Sequence, residues 1–281
     1  MQKYKIFSYF CKKFFHMEIT AVIITQDEER NIGRCLESLK GVADEIVVVD
    51  SGSTDRTEAL CREAGARFVS HPWEGYSGQK NYANSLATHP WILSIDADEA
   101  LSPTLRESLL ALKHSSINTL SHSHIHYAFN RLNNYCGHWI HHSGWYPDRK
   151  PRLFHRDAYE WDGTVHEELR PKNSQFSLIP GSTRNLNSQF LKGDLLHYTY
   201  YDVGDHAARQ IKYATLAAQK AFEQGKRAHR TDLWLKPAWT FLRNYLFRLG
   251  FLDGHAGFLV CRMAAFYTFL KYAHLYAQHH S

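Results

Sequence analysis

Three carboxylates, Asp96, Asp98 and Glu99, directly follow the apolar stretch 92–95, which has the composition of a short buried strand. Carboxylates this close repel one another, and a cation between them relieves the repulsion. Mg²⁺ and Mn²⁺ are hard cations that bind one or two protein carboxylates together with substrate phosphates. The spacing therefore predicts a metal–diphosphate site at the end of a strand. A solvated turn after the strand is the alternative.

The elements before this stretch predict how such a site would be positioned. Residues 19–25 and 45–50 are apolar and rich in β-branched side chains, which is typical of parallel strands buried on both faces. A helical pattern follows each of them, and 67–70 reads as a third strand. This βαβαβ order predicts an α/β fold with a doubly wound, mostly parallel sheet. Because ligands of such sheets bind beyond the carboxyl ends of the strands, the polar clusters 25–28, 50–55 and 96–98 would share one edge.

Basic residues in two further stretches are candidates for phosphate binding. Residues 75–81 combine two glycines, Lys80 and the start of a predicted helix, which is typical of an anion site. Lys80 would contact the diphosphate, and an exposed helix lysine is the alternative. Arg149 and Arg152 lie among the aromatic residues of 144–154, which suits a sugar platform with phosphate clamps. An irregular loop with inward-packed aromatic rings would give the same composition.

The composition fits an ordered protein of a reducing compartment. The chain has 281 residues, 44% hydrophobic and 22% charged, which suits one large α/β domain with or without an appendage and argues against disorder. Five scattered cysteines without a CxxC pair exclude a disulfide framework. The net charge of +5 is mild, and we expect no nucleic-acid partner. His122, His124 and His126 alternate as on a strand, and we expect them to face outward rather than to bind zinc.

Both ends of the chain are basic and aromatic. Residues 1–16 lack the features of a signal peptide, and they are either a membrane-surface segment or a leader that precedes a true start at Met17. From residue 226 onward, the sequence contains eight Lys and Arg residues and only two acidic residues. No run of 18 uncharged apolar residues occurs, so we expect no spanning helix. Residues 205–281 are predicted to form amphipathic helices on an anionic membrane surface. Packing on the catalytic domain or a dimer contact is the alternative.

Taken in order, the motifs resemble those of inverting family 2 glycosyltransferases of the GT-A fold, and more narrowly the lipopolysaccharide core β-1,4-glucosyltransferases. The resemblance covers nearly everything after Met17 and implies a GT-A catalytic domain over 17–204. Gln26-Asp27 departs from the aromatic-Asn pair that is frequent in the family, and Ser51 stands where a second Asp is common. The matching segments are AVIITQDEERNI (21–32), EIVVVDSGSTDRT (45–57), PWEGYSGQKNYA (72–83), WILSIDADE (91–99), GWYPDRKPRLF (144–154), VHE (165–167), GDLLHYTY (193–200) and GFLDGHAGF (250–258).

The resemblance implies roles for individual side chains. Asp96 and Asp98 match the DxD motif, which binds Mg²⁺ or Mn²⁺ and the sugar nucleotide. Asp98 would be the direct metal ligand, with Asp96 nearer the ribose or a metal-bound water and Glu99 capping the next segment. His166 or His197 would complete the metal shell or orient the base, unless they are core histidines. Lys80 would approach the diphosphate. A UDP-sugar would be held by Thr25, Glu28 and Asp50, in a pocket shaped by Asp55.

The chemistry that follows is a single displacement at the anomeric carbon. The leaving diphosphate gains negative charge, which a metal on Asp98, Lys80 and backbone N–H groups would stabilise. The acceptor hydroxyl needs a base within hydrogen-bond reach. Glu167 follows a predicted short strand and is the predicted base, with Asp162 and Glu168 as rivals.

The predicted function is therefore metal-dependent, inverting transfer of a hexose, with glucose favoured, from a UDP-sugar. The predicted acceptor is a heptose of the lipid A–core of lipopolysaccharide, and the predicted location is the cytoplasmic face of the inner membrane, with peripheral attachment. A polyprenyl phosphate or a peptide acceptor is the alternative within the transferases. A non-catalytic scaffold that binds nucleotide sugars is the alternative outside them, although a scaffold has no need of clustered acids.

Overall fold

The computed structural model describes residues 17–115, 126–163, 167–172 and 188–280. The predicted leader 1–16, the histidines at 122, 124 and 166, and the end of the chain lie outside these ranges. The chain forms two compact units. The first comprises the residues up to Phe129 together with Pro151–Gly193, and the second comprises Asn130–Lys150 together with the residues from Asp194 onward. The predicted division into 17–204 and 205–281 stays a prediction about function.

A parallel sheet forms the centre of the first unit. Its strands lie in the order β3-β2-β1-β4, and all neighbours in this part are parallel. Nearly every residue of β1 is buried, as its uninterrupted apolar sequence predicts. The predicted α/β class is confirmed. The bounds are β1 Ile19–Thr25, β2 Glu45–Asp50, β3 Arg67–Ser70 and β4 Trp91–Asp96, with helices α1 Ile32–Leu39, α2 Thr57–Glu63 and α3 Gly75–Leu86 between them.

The helices of this unit follow from apolar spacing and capping. In α1, Ile32, Cys35, Leu36 and Leu39 are buried at helical spacing. Helix α4, Pro103–Lys113, begins at Pro103 because the Ser102 hydroxyl accepts the N–H of Leu105 at 3.2 Å and proline suits the first turn of a helix.

The chain after β4 adds antiparallel pieces. Strand β5, Glu99–Leu101, follows the acidic turn, and β8, Asp148–His155, runs antiparallel to β4 with Leu153 opposite Leu93. Strands β9, Tyr159–Asp162, and β10, Glu168–Pro171, form a separate two-stranded sheet. Phe154, Tyr159 and Trp161 pack with side chains of β1, β2 and α3 in one apolar cluster. This packing places the β9–β10 pair beside α3.

One sequence expectation about the histidines was wrong. Strand β6, His126–Tyr135, begins at a histidine that is buried rather than outward. The His126 ring lies 5.3 Å from the ring of Tyr159, and burial lowers the pKa of His126 to about 4. Alternation along a strand separates two faces, but it does not say which face the rest of the chain covers.

The second unit is largely helical. Strand β7, His138–Ile140, pairs with β6 residues 133–135, and β11 spans Ser188–Tyr200. Asp202 caps α5 by accepting the N–H of Asp205 at 2.8 Å, so this helix begins at Val203, shortly before the predicted helical region 205–281. None of the described helices is long and apolar enough to cross a membrane. The helices are α5 Val203–Glu223, α6 Asp232–Leu242, a π-helical continuation Arg243–Phe247, a 3₁₀ turn Gly250–Asp253 and α7 Gly254–Gln278.

Candidate active site

Two loops at the carboxyl edge of the parallel sheet are joined to each other by hydrogen bonds. The Asp27 N–H donates to the Ser53 hydroxyl at 2.8 Å, and the Asp27 carboxylate accepts the N–H of Thr54 at 2.7 Å. The Glu29 N–H donates to Asp55 at 2.9 Å. Asp27 adopts a left-handed conformation with φ of 51°, which short polar residues tolerate best. The β1–α1 and β2–α2 loops therefore form one fixed rim.

Asp50 and Thr25 are register neighbours at this edge and differ in their bonding. The Asp50 carboxylate is buried and accepts the N–H groups of Gly52 and Ser53, both at 2.8 Å, and a close bond from the Ser53 hydroxyl. The Thr25 hydroxyl is also buried, yet none of the described residues is its hydrogen-bond partner. A buried hydroxyl without a partner is costly, so Thr25 is the member of the pair that would gain from a ligand.

Glu28 and Asp55, also predicted to form the nucleotide pocket, hold the rim together. The Glu28 N–H donates to the Thr57 hydroxyl at 2.8 Å, and its carboxylate accepts from the Asn31 amide at 2.7 Å. Burial alone would raise the pKa of Asp55, but hydrogen bonds from Thr57 and the Glu29 N–H outweigh it and lower that pKa. Both carboxylates thus shape the loop from which a nucleotide contact would be made.

Lys80 lies between two predicted site carboxylates. Its Nζ is 2.7 Å from Glu167 and 3.1 Å from Asp96, and it lies 4.9 Å from the centre of the Trp161 ring. The lysine is almost completely buried, and these two acids are the opposite charges beside its ammonium group. The sequence predicted Lys80 and Glu167 separately, 87 residues apart, and the fold brings them into direct contact.

Arg152 extends this contact into a network. Its Nη2 lies 2.7 Å from Asp96 and donates a short bond to Glu99. Burial alone would raise the pKa of Asp96, but the charges and hydrogen bonds of Arg152 and Lys80 outweigh it and hold that pKa far below its ordinary value. Burial would lower the pKa of Arg152, and the two acids reverse this and raise it. The ion pairs run in the order Glu167–Lys80–Asp96–Arg152–Glu99.

Helix α3 and strand β9 fix the position of this network. The Asn81 side chain donates to the Trp161 carbonyl at 2.8 Å and accepts the Trp161 N–H at 2.9 Å. One turn earlier, the Ser77 hydroxyl donates to the Gly163 carbonyl at 2.6 Å. These contacts join α3, which carries Lys80, to β9, and β9 pairs with β10, the strand that directly follows Glu167.

Among the possible bases, Glu167 alone contacts the network in the described part of the chain. Asp162 pairs with Arg170 at 2.7 Å, and Glu168 lies 3.7 Å from the same arginine. Both rivals are exposed on the β9–β10 pair. The assignment of the base stays a prediction, and this geometry supports Glu167.

The carboxylates of the DxD motif have different environments. Both Asp96 oxygens contact cations, Oδ1 with Lys80 and Oδ2 with Arg152. Asp98 lies half-buried in the turn between β4 and β5. Within the described ranges, no group of three His, Cys, Asp or Glu residues is placed to hold a metal ion. The residues present fit a cation that takes one carboxylate, from Asp98, and completes its oxygen shell with a diphosphate and water.

Two predicted residues lie in the second unit. His197 Nδ1 is 2.6 Å from the Asn133 side-chain oxygen and 2.9 Å from the Thr199 hydroxyl. Arg149 is exposed on β8. Their assignments to metal and nucleotide-sugar binding stay predictions.

Two buried residues of the site were missed or misread in the sequence. Glu99, expected only to cap the next segment, is buried, pairs with Arg152 and accepts the Asp96 N–H at 3.1 Å. Gln79 is buried and donates to the Ser51 hydroxyl at 3.0 Å, which joins α3 to the β2–α2 loop. For Glu99 the only signal was its position next to the two aspartates.

Comparison with known proteins decides the family. The sequence profile described as Glycosyl transferase family 2 matches residues 20–164, which is more than half of the chain. The chain belongs to glycosyltransferase family 2. This family 2 glycosyltransferase is therefore an enzyme, and its matched region contains Lys80, both DxD aspartates and Arg152.

Relatives match nearly the whole length. The lipopolysaccharide core biosynthesis glycosyltransferase LpsC of Rhizobium meliloti (strain 1021) is 35% identical over 94% of this chain and 93% of its own. An uncharacterized glycosyltransferase of Rickettsia felis is 29% identical over 92% of this chain and 89% of its own.

A solved structure matches a smaller part. Glucosyl-3-phosphoglycerate synthase from Mycobacterium tuberculosis, solved with Mn²⁺ and UDP, is 23% identical over 42% of this chain and 44% of its own, with a TM-score of 0.33. A likeness of this extent supports no argument about function.

Proposed function

We propose that this enzyme transfers a hexose, with glucose the first candidate, from a UDP-sugar to a heptose of the lipopolysaccharide inner core, with inversion at the anomeric carbon. The observation that carries the chemistry is the contact of Lys80 with both Asp96 and Glu167 beyond the carboxyl ends of the strands. The acceptor class is supported by the name and the full-length similarity of the Rhizobium relative.

The donor would lie against the joined β1–α1 and β2–α2 loops. Thr25 offers a buried hydroxyl to the nucleotide, and Glu28, Asp50 and Asp55 fix the loops around it. The Lys80 ammonium has three N–H donors, of which Glu167 and Asp96 take two. The remaining donor is available to a diphosphate oxygen, where the charge develops as the glycosidic bond breaks.

A divalent cation, Mg²⁺ or Mn²⁺, would add positive charge at the leaving diphosphate when bound. Asp98 is the residue proposed to hold it, with Asp96 held nearby by Lys80 and Arg152. His197 remains a proposed additional ligand.

Glu167 is proposed to accept the proton of the attacking hydroxyl. Lys80 holds its carboxylate at 2.7 Å, which fixes the side chain without consuming both oxygens. The proton passes to the Glu167 carboxylate as the oxygen bonds to the anomeric carbon, while the bond to the diphosphate breaks on the opposite side.

The enzyme is proposed to work at the cytoplasmic face of the inner membrane as a peripheral protein, because a core acceptor is attached to lipid A. Mass spectrometry of core oligosaccharide from cells with and without the protein tests the acceptor. The proposal expects the core to lose one hexose. An unchanged core, together with transfer to polyprenyl phosphate or to a peptide by the purified enzyme, would replace the proposed acceptor.

Glu167→Gln tests the base. UDP-sugar binding should persist by calorimetry, while turnover on purified truncated lipopolysaccharide should fall by roughly 10²–10⁴-fold. Glu168→Gln is the matched control, because it changes the adjacent exposed residue, and it should retain turnover. If the two variants exchange these outcomes, the base is Glu168.

A further inference from the structure

An exposed apolar face lies on α6 and its π-helical continuation. None of the eleven residues of α6 is buried. The face consists of residues spaced by four, three and four along the helix, flanked by two more aromatic side chains, and all six are between 43% and 77% exposed. The members of this α6 face are Leu235, Trp239, Leu242 and Leu246, with Trp234 and Phe247 at its sides.

The side chains of the α6 face form a continuous surface. The rings of Trp239 and Phe247 lie 5.8 Å apart, although the two residues are separated by two helical turns. Folded proteins rarely expose large contiguous apolar patches unless something binds there. Single exposed leucines are ordinary, but a helix face that combines three exposed leucines with exposed Trp234, Trp239 and Phe247 is unusual.

The segment of the chain that carries the α6 face has a net positive charge. From residue 226 to the end, eight Lys and Arg stand against Asp232 and Asp253. Asp253 is turned inward, where it accepts the His142 N–H and contacts the His142 ring, both at 2.8 Å. Asp232 accepts the His229 N–H at 2.9 Å. Arg243 and Arg248, which alternate with residues of the face, are exposed.

These features select one occupant. A second copy of the chain would bring the same positive charge against this face, and the two copies would repel each other. A bilayer that contains anionic phospholipid offers the complementary charge, an apolar interior for leucine, and an interfacial zone that tryptophan prefers. We propose that the α6 face docks on the surface of an anionic phospholipid bilayer, with its tryptophan and leucine side chains in the interfacial zone and Arg243 and Arg248 at the lipid phosphates.

The proposal is tested by co-sedimentation of the full chain with phosphatidylcholine vesicles, with and without phosphatidylglycerol. Wild type should bind only the anionic vesicles and should be released by added salt. The double variant Trp239→Ser/Leu242→Ser should bind the anionic vesicles at least about tenfold more weakly than wild type. The reason is that two fewer apolar side chains transfer from water into the bilayer. Arg243→Glu should also weaken binding.

Matched controls come from α5. Leu216→Ser removes another leucine, 55% exposed, and Lys220→Glu reverses another exposed basic charge, and both should bind as wild type. Trp239→Phe keeps an apolar ring and should keep binding, while it reduces the quenching of tryptophan fluorescence by brominated lipid. The altered side chains are exposed, so circular dichroism melting should match wild type.

The outcomes that overturn the proposal are specific. Equal binding to neutral and anionic vesicles, absence of binding, or equal loss in Leu216→Ser and in the double variant would each do so. A wild-type dimer that becomes a monomer in the double variant would make the α6 face a self-association surface instead. Because the assay contains no sugar nucleotide or acceptor, its result is independent of the proposed transfer reaction.

Discussion

The two edges of the parallel sheet bury similar groups in opposite ways. At the amino edge, Lys113 pairs with Asp44 at 2.7 Å and donates to the Val42 carbonyl. At the carboxyl edge, Lys80 is shared between Asp96 and Glu167. The side chains of the two lysines are 4% and 3% exposed, so burial does not distinguish them.

The difference repeats within a single strand. Thr20, near the start of β1, donates its hydroxyl to Glu45 at 2.7 Å, while the buried Thr25 hydroxyl at the end of β1 has no partner among the described residues. At the amino edge the polar side chains named here bond to one another, whereas at the carboxyl edge the Thr25 hydroxyl keeps its hydrogen-bonding capacity for a ligand. A buried polar group therefore indicates a binding site only when its bonding is incomplete or shared.

The largest expected effect is the loss of activity on replacing Lys80, whereas replacing Lys113 should change stability instead. Lys80→Met should reduce kcat/KM by about 10³-fold, because the leaving diphosphate loses a preorganised cation. Lys113→Met should instead destabilise the fold by about 1–3 kcal/mol, because the buried Val42 carbonyl and the Asp44 carboxylate lose the donor that Lys113 supplies.

Steady-state kinetics and urea unfolding of both variants check this contrast. A Lys113→Met enzyme that is as stable as wild type but inactive would contradict the division between the edges, as would a Lys80→Met enzyme with full activity.

The second effect concerns Arg152, which contacts both Asp96 and Glu99. Arg152→Met should cost about 3–5 kcal/mol of stability, because the buried Glu99 carboxylate loses the guanidinium that balances its charge. The double variant Arg152→Met/Glu99→Leu should recover most of this stability. Activity should stay low in both, mainly through kcat, because Asp96 loses the cation that holds its Oδ2. If the double variant regains both stability and kcat, Arg152 has no positioning role.

The next prediction concerns the pH dependence of stability and the buried side chain of His126. Burial lowers the pKa of His126 to about 4, below the ordinary value near 6.5. As the pH falls below about 6.5 the unfolded chain takes up a proton first, so stability that is present above this pH is lost toward pH 4, by about 3 kcal/mol. His206, with its pKa also lowered to about 4 by burial and by Arg209, adds a similar loss in the second unit.

His126→Phe should therefore flatten the fall in unfolding free energy between pH 6.5 and 4, leaving the part from His206. The depressed pKa of Asp96 acts lower still, because its contribution is present above the ordinary aspartate value of about 4 and is lost only as the pH falls below that. An unchanged slope in His126→Phe would exclude this histidine as a source of acid lability.

The smallest expected effects come from the two threonines at the opposite ends of β1. Thr25→Val should raise KM for the UDP-sugar by about fivefold to tenfold, the equivalent of one hydrogen bond, without loss of stability. Thr20→Val should lower stability by about 1 kcal/mol and leave KM unchanged, because its hydroxyl serves Glu45. Donor titrations and unfolding curves measure both. Equal KM values for the two variants would remove Thr25 from the nucleotide pocket.

Local patterns were sufficient for the central sheet. The β-branched runs predicted β1 and β2, and the stretch 67–70 was predicted as β3, each with its observed bounds. The acidic turn after β4 and the edge that it shares with the loops followed from the order of the elements. These features depend on neighbours in sequence, which a sequence displays directly.

The bonding inside the site depends on distant residues and could not be predicted. Arg152 and Glu99 are 53 positions apart and meet because β8 runs antiparallel to β4. The outward placement expected for His126 failed for the same reason, since burial is decided by what packs on a face. The predicted base and phosphate lysine were separate proposals in the sequence, and only the fold brings them into contact.

The joined loops at the carboxyl edge have a consequence for hydrogen exchange. The N–H groups of Asp27, Glu29 and Thr54 belong to no helix or strand, yet each donates to a side chain 26 or 27 positions away. Such bonds exist only while β1 and β2 remain paired at that end, so these three amides should exchange slowly and together. They report the integrity of the pocket before any ligand has arrived.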